Sequence, residues 1–328
     1  MTSPSKLPFL AQAESELQPE LATDRGACRV AADWREAFEA LGWRDAESIM
    51  RWTGGDVLRD RDRRDVRRVV VPGRGSNADR TLYLKRHRCW ERPVAPIGTQ
   101  FPGIGEAQSV ATCADLGIAS IDVIAAGGRT TRDAKTGRVV CESFLVSEAI
   151  PAPSCAELIQ RWRQEGTFDR ADRRELRRRM IELAAETISR MHAAGAYHQD
   201  LYWHHLYFPA DKRGELSARL IDVQRLAQPP RWRRWSFWWK DMEHMRFSMQ
   251  RLAFPHDEIR YWYECYFGGG IARPLTAWQH IQTCLIRWRK PRRVLRKLWR
   301  QPRGGACRPH GVPLPPPAQE SSAAARAA

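Results

Sequence analysis

The chain lacks a CxxC pair, lacks any long apolar run, and is short of acids. Its eight cysteines (Cys28, Cys89, Cys113, Cys141, Cys155, Cys265, Cys284 and Cys307) are scattered. Neither a structural zinc site nor a disulfide framework is therefore expected, and a reducing, cytoplasmic setting fits best. No stretch approaches the roughly 20 apolar residues of a membrane-spanning helix, which confines any membrane contact to the periphery. Residues 1–25 carry Pro4, Pro8 and Pro19 among several acids and no apolar core, unlike a secretory signal. Asp and Glu total 38 against 54 Lys and Arg, leaving +16 at pH 7. That charge attracts phosphates, nucleic acid or an anionic membrane surface alike. No internal repeat is apparent.

With 328 residues and 43% hydrophobic content, the chain can bury a large core, in one domain or two intimate lobes. Residues 1–25 and the Pro/Ala-rich end over 301–328 read as flexible tails, with an N-terminal lobe over 26–150 and a C-terminal lobe over 151–300 between them. Apolar strands over 66–71 and 81–86 flank a turn rich in Pro72, Gly73, Gly75 and Asn77, a β-hairpin whose second strand carries Lys85. After a loop marked by Pro93, Pro96 and Pro102 come a helix over 104–116 and strands over 121–126 and 139–147. From Ser154 the pattern turns helical: Leu176, Met180, Leu183, Ile188 and Met191 share one face of a helix over 175–194 that Gly195 terminates. Further helices are expected at about 239–252, 256–267, 275–288 and 291–300. The class is α+β, a β-rich lobe followed by a helical lobe with a cleft between.

Two acids stand beside short apolar strands: Asp200 in YHQDLYWHHLYF (197–208) and Asp222 in LIDVQR (220–225). Phosphoryl transfer needs such a pair, one carboxylate to orient the acceptor hydroxyl and take its proton, the other to hold the metal that bridges the nucleotide phosphates. Upstream, Lys85 near a strand end and Glu106 on the next helix can pair so that the ammonium faces the α and β phosphates.

The ordered set LYLKRH, GEAQ, MHAAGAYHQDLYWHHLYF, LIDVQR and RRWSFWWKDMEHMRFSM resembles the bacterial lipopolysaccharide kinases, the Kdo and heptose kinase group related to protein kinases, over residues 50–265. The resemblance implies a two-lobed protein-kinase-like fold. It also implies ATP-dependent phosphorylation of a sugar hydroxyl on a lipopolysaccharide-core-like glycolipid, peripheral to the inner face of the cytoplasmic membrane. It makes Asp200 the catalytic base, Lys85 the phosphate contact, Glu106 the residue that holds Lys85, and Asp222 the principal ligand of Mg2+, with Mn2+ as the alternative metal. His205 falls where protein kinases place an Asn metal ligand; an imidazole suits magnesium poorly, so it is either a metal ligand or a support beside one. Ser147, Glu148, Ala149 and Ile150 resemble the hinge whose backbone meets adenine, and Asp241 resembles the helix Asp that braces the catalytic loop. Three departures stand out. No GxGxxG precedes Lys85, and RDRDRRD (59–65) occupies the equivalent turn. Gln199 replaces the Arg between His and Asp, so no activation-loop switch is expected. DVQ replaces DFG.

The same catalytic set serves a protein or small-molecule kinase, and the missing Gly-rich loop leaves a pseudokinase or basic binding scaffold as a third reading. The tryptophans and cations over 229–240 read as helix-packing aromatics or as an acceptor or membrane-interface surface. Residues 287–303 carry nine Lys or Arg and no acid, interleaved with Val294, Leu295, Leu298 and Trp299, the pattern of a basic amphipathic helix suited to an anionic membrane. Nucleic acid ranks last as a partner, since no recognised binding motif accompanies the charge.

Overall fold

A computed structural model describes residues 27–61, 63–72, 79–91 and 97–286. The turn around Gly73 and Gly75, the Pro93 and Pro96 stretch, the basic segment from Arg287 onward with its expected helix at 291–300, and both expected tails lie outside the described residues.

Six antiparallel strands form one sheet: β1 (Ala27–Val30), β2 (Asp56–Arg61), β3 (Arg64–Val71), β4 (Arg80–Trp90), β5 (Val123–Arg132) and β6 (Val139–Glu148), in the spatial order β1-β5-β6-β4-β3-β2. The expected hairpin is β3 with β4, in which Val66 faces Lys85 and Val69 faces Leu82. β4 also pairs with β6, placing Leu145 opposite Lys85. Alternation along β4 sends Lys85 and His87 to one face and Leu82, Leu84 and Arg86 to the other.

The second face is covered by two short helices, α1 (Arg35–Ala40) and α2 (Ala46–Arg51). Trp34, Phe38, Trp43, Ile49 and Met50 pack there against Val69, Leu82, Leu84, Phe144 and Val146. A capping box starts α2, with Asp45 accepting from the Ser48 N–H at 2.7 Å. Arg86 closes its other end by donating to the carbonyls of Ile49, Met50 and Trp52 at 3.2, 2.9 and 2.6 Å, a cation where the helix dipole is negative. Periodicity does not announce this layer, because its apolar residues are spread over three short segments.

Helix α3 (Pro102–Asp115) crosses the Lys85 face, and Gly103 lies so close to the Phe144 backbone that a Cβ there would meet it at 2.5 Å. Beyond β6 the chain is helical: α4 (Cys155–Gln164), α5 (Ala171–Ala193), α6 (Arg231–Arg251) and α7 (His256–Phe267), with a further helical stretch over 277–286. Ile181, Ala184, Ile188 and Met191 of α5 share a core with Met242, Met245, Ile259 and Trp262, and that core runs on into Ala107, Val110 and Leu145 of the sheet half. Within it Arg177 and Glu258 form a buried pair at 2.6 Å, and Arg177 also donates to the Phe168 carbonyl. Helix α6 starts earlier than the expected 239, so the tryptophan-rich segment is its first half. Trp239 packs inward while Trp232 stays 82% and Trp235 50% exposed.

Candidate active site

Between α5 and α6 run two short antiparallel strands, β7 (Leu206–Tyr207) and β8 (Arg219–Leu220), with Asp200 just before one and Asp222 just after the other. The Ser120 hydroxyl donates to the Leu220 carbonyl at 2.6 Å and the Leu220 N–H donates to Ala119 at 3.0 Å, tying this ribbon to the loop that follows α3.

Four side chains singled out in the sequence converge here. Lys85 Nζ donates to Glu106 Oε1 at 2.6 Å and lies 4.0 Å from Asp222 Oδ1. Glu106 is fully buried, and among the described residues its Oε2 has no hydrogen-bond partner. Such an atom costs about 1–3 kcal/mol and is retained where function requires it. Arg64, at the start of β3, reaches the same Asp222 Oδ1 at 3.6 Å. Burial alone would raise the Asp222 carboxyl, but Lys85, then His205 and Arg64, outweigh it and hold the group below the usual range. Asp222 itself has left-handed backbone, with φ at 55°, which turns its carboxylate back into the cleft.

His205 stands beside it, Nε2 3.7 Å from Asp222 Oδ2. Its Nδ1 lies 2.8 Å from the Asp200 carbonyl; a carbonyl only accepts, so Nδ1 carries the hydrogen and Nε2 presents a lone pair toward Asp222. Burial, then His204 and His198, push the imidazole down to about 3, so it is neutral at physiological pH. Among the described residues no group of three or more His, Cys, Asp or Glu side chains could cage a metal. A magnesium-type ion needs only one or two carboxylates when phosphates supply the other oxygens. Asp222 supplies one such carboxylate, with His205 beside it.

The loop that carries Asp200 is braced by α6. Asp241 of α6 is fully buried and accepts from the N–H groups of His198 and Gln199, both at 2.7 Å, with His192 Nε2 at 3.3 Å. Charge-assisted bonds of this kind are about twice as strong as neutral ones, and they hold Gln199 at φ 71°, a conformation an unsupported side-chain-bearing residue avoids. Lys240 donates to the Gln199 amide oxygen at 3.2 Å. Residues 223–230 alone link Asp222 to α6, which leaves no length for a long activation segment. Asp200 is half-buried, and Arg225 Nη1 donates to its two oxygens at 2.9 and 3.2 Å.

Glu148 and Ile150 lie where β6 leaves the sheet. The Glu148 carboxylate is held by Arg80 at 2.7 and 2.8 Å opposite Leu82, on the face away from Lys85. The Ala149 N–H donates to Thr81 at 2.8 Å and the Ile150 carbonyl accepts from Ala152 at 2.8 Å. RDRDRRD is mostly strand, since β2 runs to Arg61 and β3 starts at Arg64. Arg64 and Arg225 were not individually marked in the sequence, since nothing distinguishes one arginine from the many others until the fold brings it to a carboxylate.

A six-stranded sheet with a lysine–glutamate pair, a helical half, and two carboxylates between them define a kinase-like phosphotransferase. The sequence profile of the lipopolysaccharide kinase (Kdo/WaaP) family matches residues 51–266, and the chain belongs to that family, whose members transfer phosphate to a sugar hydroxyl. It is 27% identical over 269 residues to the lipopolysaccharide core heptose(I) kinase WaaP of Pseudomonas aeruginosa, covering 77% of this chain and 87% of that protein. The fold is similar to that of WaaP in complex with acyl carrier protein, with a TM-score of 0.56 at 21% identity over 83% of this chain and 99% of that one.

Proposed function

We infer that the protein transfers the γ-phosphoryl group of ATP to a hydroxyl of an inner-core sugar of a lipopolysaccharide-like glycolipid, a heptose being the first candidate. The observation that carries this reading is the convergence of Lys85–Glu106 and Asp222 at 2.6 and 4.0 Å around one cleft, in a chain of the lipopolysaccharide kinase family. Lys85, held by Glu106, binds the nucleotide phosphates, and backbone around Glu148 and Ile150 receives the adenine. Asp222, with His205 beside it, would hold Mg2+ or Mn2+, which would supply positive charge to offset that of the nucleotide phosphates. Asp200 orients the acceptor hydroxyl and takes its proton as the oxygen attacks phosphorus. Arg64 supplies at the hairpin the phosphate contact that a Gly-rich loop otherwise gives.

An anionic membrane surface is the proposed setting. Exposed Trp232 and Trp235 among the arginines of α6, with Trp278, Ile281 and Leu285 exposed on the 277–286 helical stretch, support it, since tryptophan favours the headgroup region and the net charge is +16. The test is phosphate transfer from γ-labelled ATP to dephosphorylated lipopolysaccharide in the presence of Mg2+ or Mn2+, with a protein acceptor in parallel. Label on a core sugar is expected; label on protein alone would replace this reading with a protein kinase. Flotation with anionic vesicles, weakened by salt, is expected to retain the enzyme, and binding to neutral vesicles only would remove the membrane setting.

A further inference from the structure

The cations of the cleft are unevenly placed. Lys85 and Arg64 both crowd Asp222 Oδ1, at 4.0 and 3.6 Å, on the side proposed for nucleotide and metal. The loop from Asp200 to His205 contributes no Lys or Arg of its own. Tyr202 is stacked against His244 and His204, with centroids 4.5 and 5.2 Å apart. Yet a phosphoryl group in transit spreads negative charge over three equatorial oxygens, and that charge must be met from the acceptor side as well as the nucleotide side.

Arg225 stands there. Only its Nη1 is engaged, by the two Asp200 oxygens at 2.9 and 3.2 Å; among the described residues no acceptor meets Nη2 or Nε. The side chain is 58% exposed, so the guanidinium can pivot without breaking core packing. A base that accepts a proton from the attacking hydroxyl lies next to the phosphorus being attacked. A guanidinium within hydrogen-bond reach of that base therefore lies within reach of the equatorial oxygens too.

We propose that Arg225 is a catalytic residue that stabilises the transferring phosphoryl group in cis from the acceptor side, an assignment that rests on the phosphotransfer reading above. In the step, the acceptor oxygen forms a bond to the γ-phosphorus while the bond from that phosphorus to the β,γ-bridging oxygen breaks. The electron pair of the broken bond leaves with ADP, and the hydroxyl proton moves to Asp200. Arg225 keeps its proton throughout, releases one Asp200 oxygen for the hydroxyl, and donates through Nη2 or Nε to the phosphoryl oxygens.

The test separates this role from support of the loop. Binding of ADP with Mg2+ is measured with and without fluoroaluminate, a planar mimic of the transferring group, in wild type, Arg225→Ala and Arg225→Lys. Wild type is expected to bind ADP at least roughly tenfold tighter with fluoroaluminate. Arg225→Ala is expected to bind ADP normally and lose that gain, and Arg225→Lys to keep part of it. Turnover of Arg225→Ala is expected to fall about 1,000-fold, the lower end for a lost arginine of this kind, with the KM for ATP little changed and with partial rescue by added guanidinium. Retention of the full fluoroaluminate gain in Arg225→Ala, or parallel loss of ADP affinity, would overturn the assignment while leaving the phosphotransfer reading standing. Absence of metal-dependent ADP binding in wild type would remove both.

Discussion

His87 shows how one side chain ties the cleft to pH. It shares a face with Lys85 and is 5% exposed, and burial, then Arg64 and Lys85, push it down to about 4 from 6.5 despite the pull of Asp222. The unfolded chain takes a proton there near 6.5 and the folded chain resists until about 4. Stability is therefore complete above the unfolded value and is lost as pH falls through that window, by about 3 kcal/mol at its lower edge. Denaturant unfolding of His87→Gln and wild type at several pH values checks this: the two curves should diverge below pH 6.5, with the variant less acid-sensitive, whereas parallel curves would sink the idea. At the same scale Asp200, Asp222, Lys85 and Glu106 were legible from sequence because each sits in a short motif whose order carries meaning. The partners that complete their electrostatics were not. Arg225 lies three residues past Asp222, but its contact is with Asp200, and only the β7–β8 ribbon brings the two together.

Elements differ in legibility for the same physical reason. β3, β4, α5 and α7 bury one face and so display a period; β2 is exposed along its whole length and displays none, as befits a charged edge strand. That edge nevertheless matters, because its hairpin with β3 delivers Arg64 to Asp222 at 3.6 Å. If this hairpin is the phosphate contact, Arg64→Ala should weaken ATP binding about tenfold, equivalent to 1.4 kcal/mol, with little effect on folding. Calorimetric titration with ATP measures it, and unaltered affinity would assign the hairpin elsewhere. Between α5 and α7, the Arg177–Glu258 pair is nearly solvent-free. Arg177→Ala leaves a buried carboxylate alone and should cost about 3–5 kcal/mol, while the double change to Met and Leu should cost far less. Thermal unfolding of the three proteins decides this; equal losses would mean that packing, not charge, governs the site.

For the whole molecule, the α+β class and the cleft between a strand-rich and a helical half were readable because the period of apolar residues switches near Ser154. The α1–α2 layer behind the sheet was not, since its tryptophans and phenylalanine act through tertiary contacts such as Phe38 with Trp43 at 4.9 Å. That layer fastens to the sheet through Arg86, the neighbour of Lys85, so the same strand anchors the outer helices with one face and presents the cleft lysine on the other. Asp241 does the equivalent for the lower half, bonding α6 to the loop that carries Asp200. The measurement that bears most directly on this architecture pairs nucleotide binding with phosphate transfer in Asp200→Asn and Asp222→Asn. Asp200→Asn should bind ATP and metal like wild type yet lose transfer to the sugar acceptor by roughly 100-fold or more, while Asp222→Asn should lose the metal dependence of binding. Undiminished transfer in Asp200→Asn would contradict the assignment of this cleft as the site of phosphoryl transfer.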